Sequence, residues 1–247
     1  MPIAIKRMGA SYHQKNIKGK ISSATSIRNE ILNNLSSPKT DLFMLNDRVK
    51  STIPPSGFSV LERELREGRG PITLDSYRQY ILATLRRMSL KDISRVQGVT
   101  EGLENRIKKA SLKSYTVEQL INSIKTRRYT RTKIQRIILH IMMNLSKEDI
   151  TIFNKYGPLY ARVLGFSKKG KTLLRTIKKS SSTPLISKLS NYLRQTISEG
   201  NNNVRNRLIK MLDYDILSTD IYVLGNEKAE DRVARLDFTH KIVIKKD

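Results

Sequence analysis

The chain has 247 residues, 47 of them Lys or Arg against 22 Asp or Glu, which gives a formal net charge of +25. A surplus of that size repels itself in a compact fold, so a polyanionic partner is its natural counterweight. The absence of cysteine excludes disulfides, thiol nucleophiles and Cys zinc sites, and the scattered His13, His140 and His240 show no metal-ligand spacing. No run approaches the roughly 18 consecutive apolar residues of a membrane-spanning helix. The N-terminus MPIAIKRMGASYH also lacks the apolar stretch of a signal peptide. A soluble, cytoplasmic protein without a membrane partner is expected. Tryptophan is absent and aromatics make up 6%, so charge rather than base stacking must carry affinity.

In chain order, Ile3-Ala4-Ile5 reads as a strand ending at Lys6-Arg7-Met8-Gly9-Ala10. Ile21 to Arg28 leads from a polar loop into a helix running to about Leu35, with Ser and Thr available as caps. Residues 36–71 are broken by Ser-Pro, Pro-Pro-Ser-Gly and Gly-Arg-Gly-Pro and read as a connector with short helices near 40–50 and 59–67. From 72 to 212 the pattern is helical. The spacing predicts helices near 75–88, 90–97, 101–112, 148–155, 157–163, 169–178, 184–198 and 203–212. Thr116-Val-Glu-Gln119 has a capping-box pattern and opens a helix to about Lys125. Ile134, Ile137, Ile138, Ile141, Met142 and Leu145 make one apolar stripe, with Lys133, Arg136 and His140 opposite it. Phe238 to Ile244 suggests a terminal strand.

Charge density is the strongest local signal. Asn105 to Arg136 carries ten Lys or Arg and a single acid, Glu118, and a second cluster comprises Lys168, Lys169, Lys171, Arg175, Lys178 and Lys179. Guanidinium groups fork onto phosphate oxygens, Lys supplies point charge, and released counterions drive association. A single Lys is better read as solvated, but so few interleaved acids favour RNA or DNA binding. Gly165 to Thr172 satisfies GxxxxGK[ST], yet apolar strand runs are missing on both sides, so a lysine-rich turn before a helix is expected there. Tyr129 suits either base stacking or capping of the core.

The segments IAIKRMGASYH (3–13), ISSATSIR (21–28), VTEGLENRIKKA (99–110), TRRYTRTKIQRIILHIMM (126–143), YARVLGFSKKGKTLL (160–174), STDIYVLG (218–225) and LDFTHKIVI (236–244) resemble, in this order, the tRNA(Met) cytidine acetate ligases of the HIGH-type nucleotidyltransferase superfamily. Arg127 stands where the family's block has Lys. The resemblance implies that ATP and acetate form acetyl-adenylate and that the acetyl group passes to N4 of the wobble cytidine of elongator tRNA(Met). ATP is then a substrate of the complete enzyme, with magnesium as its candidate companion ion. By motif, Arg7 matches the arginine that contacts ATP, and Ser22, Ser23, Thr25 and Arg28 match the phosphate-binding segment. Arg106, Lys108, Lys109, Arg127, Arg128, Arg131, Lys133, Arg136, Lys168, Lys169 and Lys171 are the residues expected to bind tRNA.

No HxGH motif occurs, and His13 has no partner histidine nearby. The expectation is therefore a C-terminal portion that lacks the N-terminal HxGH domain, carries no catalytic residue and is inactive alone. The fold expected is mainly α. An all-helical basic module (72–247) would follow a remnant of a Rossmann-like nucleotidyltransferase domain (1–35) and the connector (36–71), ending in a short β or irregular segment. The competing function is a free-standing, non-catalytic basic RNA-binding protein.

Overall fold

The computed structural model describes residues 3–4, 14–35, 45–190 and 203–245. These fall into two compact units: the chain up to Ile72 with 226–231, and 73–225 with 232–247.

In the first unit, α1 (Ala24–Leu35), α2 (Asp47–Lys50) and α3 (Pro55–Arg66) enclose a small core of Ile31, Leu45, Val49, Phe58 and Leu65. Ile17, Ile27, Ile53 and Leu61 pack against it. Pro55 opens α3 because its missing N–H falls where a helix has no acceptor for it. The segment 14–35 thus shares one core with the stretch expected to be a connector. Of the strand expected at Ile3–Ile5, Ile3 and Ala4 are described and belong to no strand, and Ile5 lies outside the described residues.

The second unit is built on α4 (Arg78–Arg87), α5 (Leu90–Arg95), α6 (Leu103–Lys113), α7 (Val117–Ile124) and α8 (Arg131–Met142). Helix α6 packs against α4, α5 and α7, and α8 against α4 and α7. The α8 stripe is buried as its period demands: Ile134, Ile137, Ile138, Ile141 and Met142 are all at most 4% exposed. Burying each such side chain contributes about 1.5–3 kcal/mol, which makes this stripe the keel of the bundle. Thr116, Thr130 and Ser89 accept from the backbone N–H groups of Gln119, Lys133 and Asp92 and start α7, α8 and α5.

Helix α9 (Lys147–Tyr156) ends at Gly157, whose φ of +67° breaks it. Beyond this point the fold departs from the expected all-helical module. Residues 157–163 are not helical. Ala161–Arg162 form strand β1, parallel to β3 (Leu185–Ile186), and β2 (Gly165–Ser167) pairs in parallel with β4 (Val243–Lys245). Between them stand α10 (Lys168–Ser180), α11 (Asn203–Tyr222) and α12 (Leu236–Thr239). Ile186, Leu189, Leu212 and Ile216 form the core of this part, with Tyr160 and Phe238 against it. The terminal strand expected over 238–244 is corrected: 236–239 is helical, and only Val243–Lys245 form a strand, exposed along its length and held by its pairing with β2. Gly165 is needed for that pairing, because a Cβ there would meet the Val243 carbonyl oxygen at 3.0 Å.

Candidate nucleic-acid interface

The turn between α7 and α8 is closed by two bonds. Thr126 N donates to the Tyr129 carbonyl at 3.1 Å, and Tyr129 N donates to Thr126 Oγ1 at 3.1 Å. This folds Tyr129 inward, 8% exposed, where its hydroxyl lies 2.8 Å from Thr100 Oγ1. Arg127 and Arg128 are left exposed at the tip. The Arg128 guanidinium carbon and Lys133 Nζ stand 5.5 and 4.9 Å from the Tyr129 ring centroid, so the ring supports cations and its face is not open to a base. Lys109, Lys125 and Arg136 are also exposed.

Three other members of the basic stretch are engaged within the protein. Arg106 Nε donates to the Ile124 carbonyl at 2.8 Å, closing the end of α7. Lys108 Nζ donates to the carbonyls of Leu85, Arg86 and Met88 at the end of α4. Arg131 forks onto both oxygens of Glu118 at 2.6 and 2.5 Å and holds that carboxyl below its usual range. His140 Nδ1 lies 2.8 Å from the Gln97 carbonyl, a packing role beside Gly98. Glu104 accepts from Gly102 N at 3.2 Å and Asn105 Nδ2 at 3.3 Å and so closes the start of α6.

The second cluster lies on α10, which carries six Lys or Arg and no acid, and has no buried residue. Lys168, Lys169 and Lys171 are exposed in its first turn. The GxxxxGK[ST] match proves to be a strand running straight into a helix. The expected lysine-rich turn is corrected: β2 occupies 165–167, the lysines open α10, and Ser167 Oγ accepts from Gly170 N at 3.1 Å. No glycine loop is left to cradle phosphate.

In the first unit, Ser23 is 5% exposed and caps α1, accepting from Ser26 N at 3.1 Å and donating to the Gln14 carbonyl at 3.0 Å. Ser22 donates to the Gly19 carbonyl at 2.9 Å. Thr25 and Arg28, three residues apart on one helix face, are exposed, as are Lys15, Lys18 and Lys20. Arg7 lies outside the described residues.

Sequence reasoning missed a cavity of about 380 Å³ in the second unit, lined among others by Arg162, Ile186, Leu189, Asp237, His240 and Ile242. Arg162 donates to Asp237 Oδ1 at 2.6 Å there. The two residues lie 75 positions apart, so no local signal links them. Arg86, which donates to the carbonyls of Ser111 and Ser114, was missed for the same reason.

The sequence pattern of HIGH nucleotidyl transferases matches residues 1–236. The chain belongs to this family. A tRNA(Met) cytidine acetate ligase of Acetivibrio thermocellus is 38% identical over 99% of the chain, and one of Halothermothrix orenii is 40% identical over 98%. The chain covers 56% and 54% of those two proteins, so it spans about half the length of the curated relatives it matches. Among solved structures, the apo crystal structure of Thermotoga maritima TmcAL superposes with a TM-score of 0.86 at 27% identity, over 97% of this chain and 54% of that one. Its complex with alpha-thio ATP gives 0.81 at 26% identity, over 91% of this chain and 52% of that one.

The family match overturns the expected remnant plus separate helical module, and with it the expected lack of the nucleotidyltransferase domain. It runs from residue 1 to 236, through both units. The missing HxGH motif concerns four residues, whereas membership rests on the pattern of the whole stretch.

Proposed function

We propose that the chain acts in acetylation of the wobble cytidine of elongator tRNA(Met), with its second unit supplying the surface that grips the tRNA. The observation that carries this is the closed Thr126–Tyr129 turn, which holds Arg127 and Arg128 outward in a chain of net charge +25. Lys109, Lys133, Arg136, Lys168, Lys169 and Lys171 extend that surface, and Arg106, Lys108 and Arg131 shape it from within. Contacts of this kind bind phosphates and RNA shape and fix the register of the tRNA rather than reading its bases.

ATP and acetate are the proposed small substrates. Acetate oxygen attacks the α-phosphorus and pyrophosphate leaves; the cytidine N4 amine then attacks the acetyl carbon, and AMP leaves with the loss of the amine proton. Arg7, Ser22, Thr25 and Arg28 are the proposed ATP contacts, and Ser23 fixes the start of α1. Backbone N–H groups and an arginine at a helix start favour developing phosphate charge. Among the described residues no group of three or more His, Asp or Glu stands together to hold a metal. Magnesium is accordingly proposed to arrive on the ATP phosphates. No helix of the described residues is long and apolar enough to cross a membrane, and the cytoplasm is the proposed location.

Filter binding to elongator tRNA(Met), an unrelated tRNA and duplex DNA across a salt series tests the reading. Salt-steep binding that prefers elongator tRNA(Met) is expected. Equal binding to all three would reduce the surface to a generic polyanion site and favour the free-standing RNA-binding alternative.

A further inference from the structure

We propose that Tyr156 and Arg207 form a stacking platform for one unpaired nucleotide of the bound RNA, separate from the two basic clusters; the choice of ligand rests on the RNA reading above. Tyr156 is the last residue of α9, and the chain turns away at Gly157, which leaves the tyrosine 42% exposed. Arg207, on α11, lays its guanidinium carbon 4.0 Å from the Tyr156 ring centroid. Lys155 Nζ stands 5.6 Å from the same ring.

The seam between α9 and α11 shows why this arginine is available. One turn further along α11, Lys210 is ion-paired with Asp149. Another turn on, Tyr214 donates to Asp149 Oδ2 at 2.7 Å and meets Phe153 edge-on, 5.8 Å between centroids. Asp149 is 5% exposed and already engaged by both partners. Arg207 has no hydrogen bond or ion pair among the described residues, only the ring beneath it.

That guanidinium sits against the Tyr156 ring on a side chain that is only partly buried. It is flat and weakly hydrated, its five N–H donors point outward in the plane, and stacking has already restricted its rotamers. An unpaired base stacks on the open face while a phosphate takes the fork. Bases inside a duplex are already stacked and cannot use such a platform, so the contact favours loops over helices.

The test uses the full chain and two RNAs of equal length, a hairpin with an unpaired loop and a blunt duplex. Arg207→Lys keeps the charge and loses the plane, Tyr156→Leu loses the ring, and Tyr156→Phe keeps it. Arg207→Lys and Tyr156→Leu are each expected to weaken the hairpin complex about tenfold and the duplex complex by less than about twofold. Tyr156→Phe should match the parent. A 2-aminopurine placed in the loop should lose emission on binding to the parent chain and keep it with Tyr156→Leu, a readout that a merely structural role would not move. Equal losses on both RNAs, no loss on either, or Tyr156→Phe behaving as Tyr156→Leu would overturn the platform and leave RNA binding standing. Failure of the parent chain to bind either RNA would remove the RNA reading itself, and the platform with it.

Discussion

Lys108 donates its ammonium to the Arg86 carbonyl at 2.6 Å, while the Arg86 guanidinium donates to the carbonyls of Ser111 and Ser114 at 3.1 and 3.0 Å. Helices α4 and α6 therefore close each other's C-termini, each sending a cation to the carbonyls the other helix leaves unpaired. Cations are favoured at that end of a helix, where its dipole is negative.

Lys108→Met should accordingly act on stability. It strands the carbonyls of Leu85, Arg86 and Met88, and a loss of about 1–3 kcal/mol is expected in urea unfolding followed by circular dichroism. The neighbouring Lys109→Met should leave unfolding unchanged and weaken RNA binding instead. The same unfolding midpoint for both variants would remove the distinction drawn between them.

Arg127 and Arg128 should differ from Arg131 in the same way. Each of the first two, replaced by alanine, is expected to lower the magnitude of the slope of log binding constant against log salt by about one phosphate contact. Arg131→Ala frees Glu118 and leaves a carboxylate beside the site, so it should weaken binding chiefly through that new negative charge. The double variant Arg131→Ala with Glu118→Gln should then recover most of the loss. Absence of recovery would mean that Arg131 touches the RNA itself.

How far these roles could be read in advance depended on whether their cause was local. The α8 stripe was legible because six apolar residues repeat at helical spacing, five of them proving buried, and the Thr116 cap because its partner is three residues away. Arg106 and Lys108 were legible only as charge. A lysine on a helix face looks the same in sequence whether it meets water or a carbonyl 20 or more residues away, as Lys108 does at Leu85, Arg86 and Met88. The two-residue strand Ala161–Arg162 was hidden for a similar reason. Its partner is Leu185–Ile186, and two residues cannot display a period.

Acid should weaken the first unit through Glu64. Hydrogen bonds from Arg69 at 2.6 Å, and secondarily from Arg63, hold its carboxyl at about 2, down from an ordinary 4.5. A depressed folded-state pKa stabilises the fold fully above the unfolded value, and that stabilisation is lost as pH falls through the folded one. The gap in unfolding midpoint between the parent and Glu64→Gln should thus be constant above about pH 5 and shrink steadily toward about pH 2. A gap unchanged over that window would show that the three charges are screened by solvent.

The strand–helix junction at 165–171 is separable from nucleotide chemistry by two substitutions. Gly165→Ala places a methyl 3.0 Å from the Val243 carbonyl oxygen, a distance at which backbone must move. Strand β4 should loosen from β2, and faster amide hydrogen exchange at 165–167 and 243–245 would report it. Lys171→Ala, by contrast, removes an exposed side chain from the first turn of α10, where the helix follows the strand with no phosphate-cradling loop between them. ATP binding should be the same in Lys171→Ala as in the parent, while tRNA binding loses affinity and salt dependence. A P-loop lysine reaches the β- and γ-phosphates directly, so loss of ATP binding in this variant would restore the nucleotide reading that the strand–helix junction excludes.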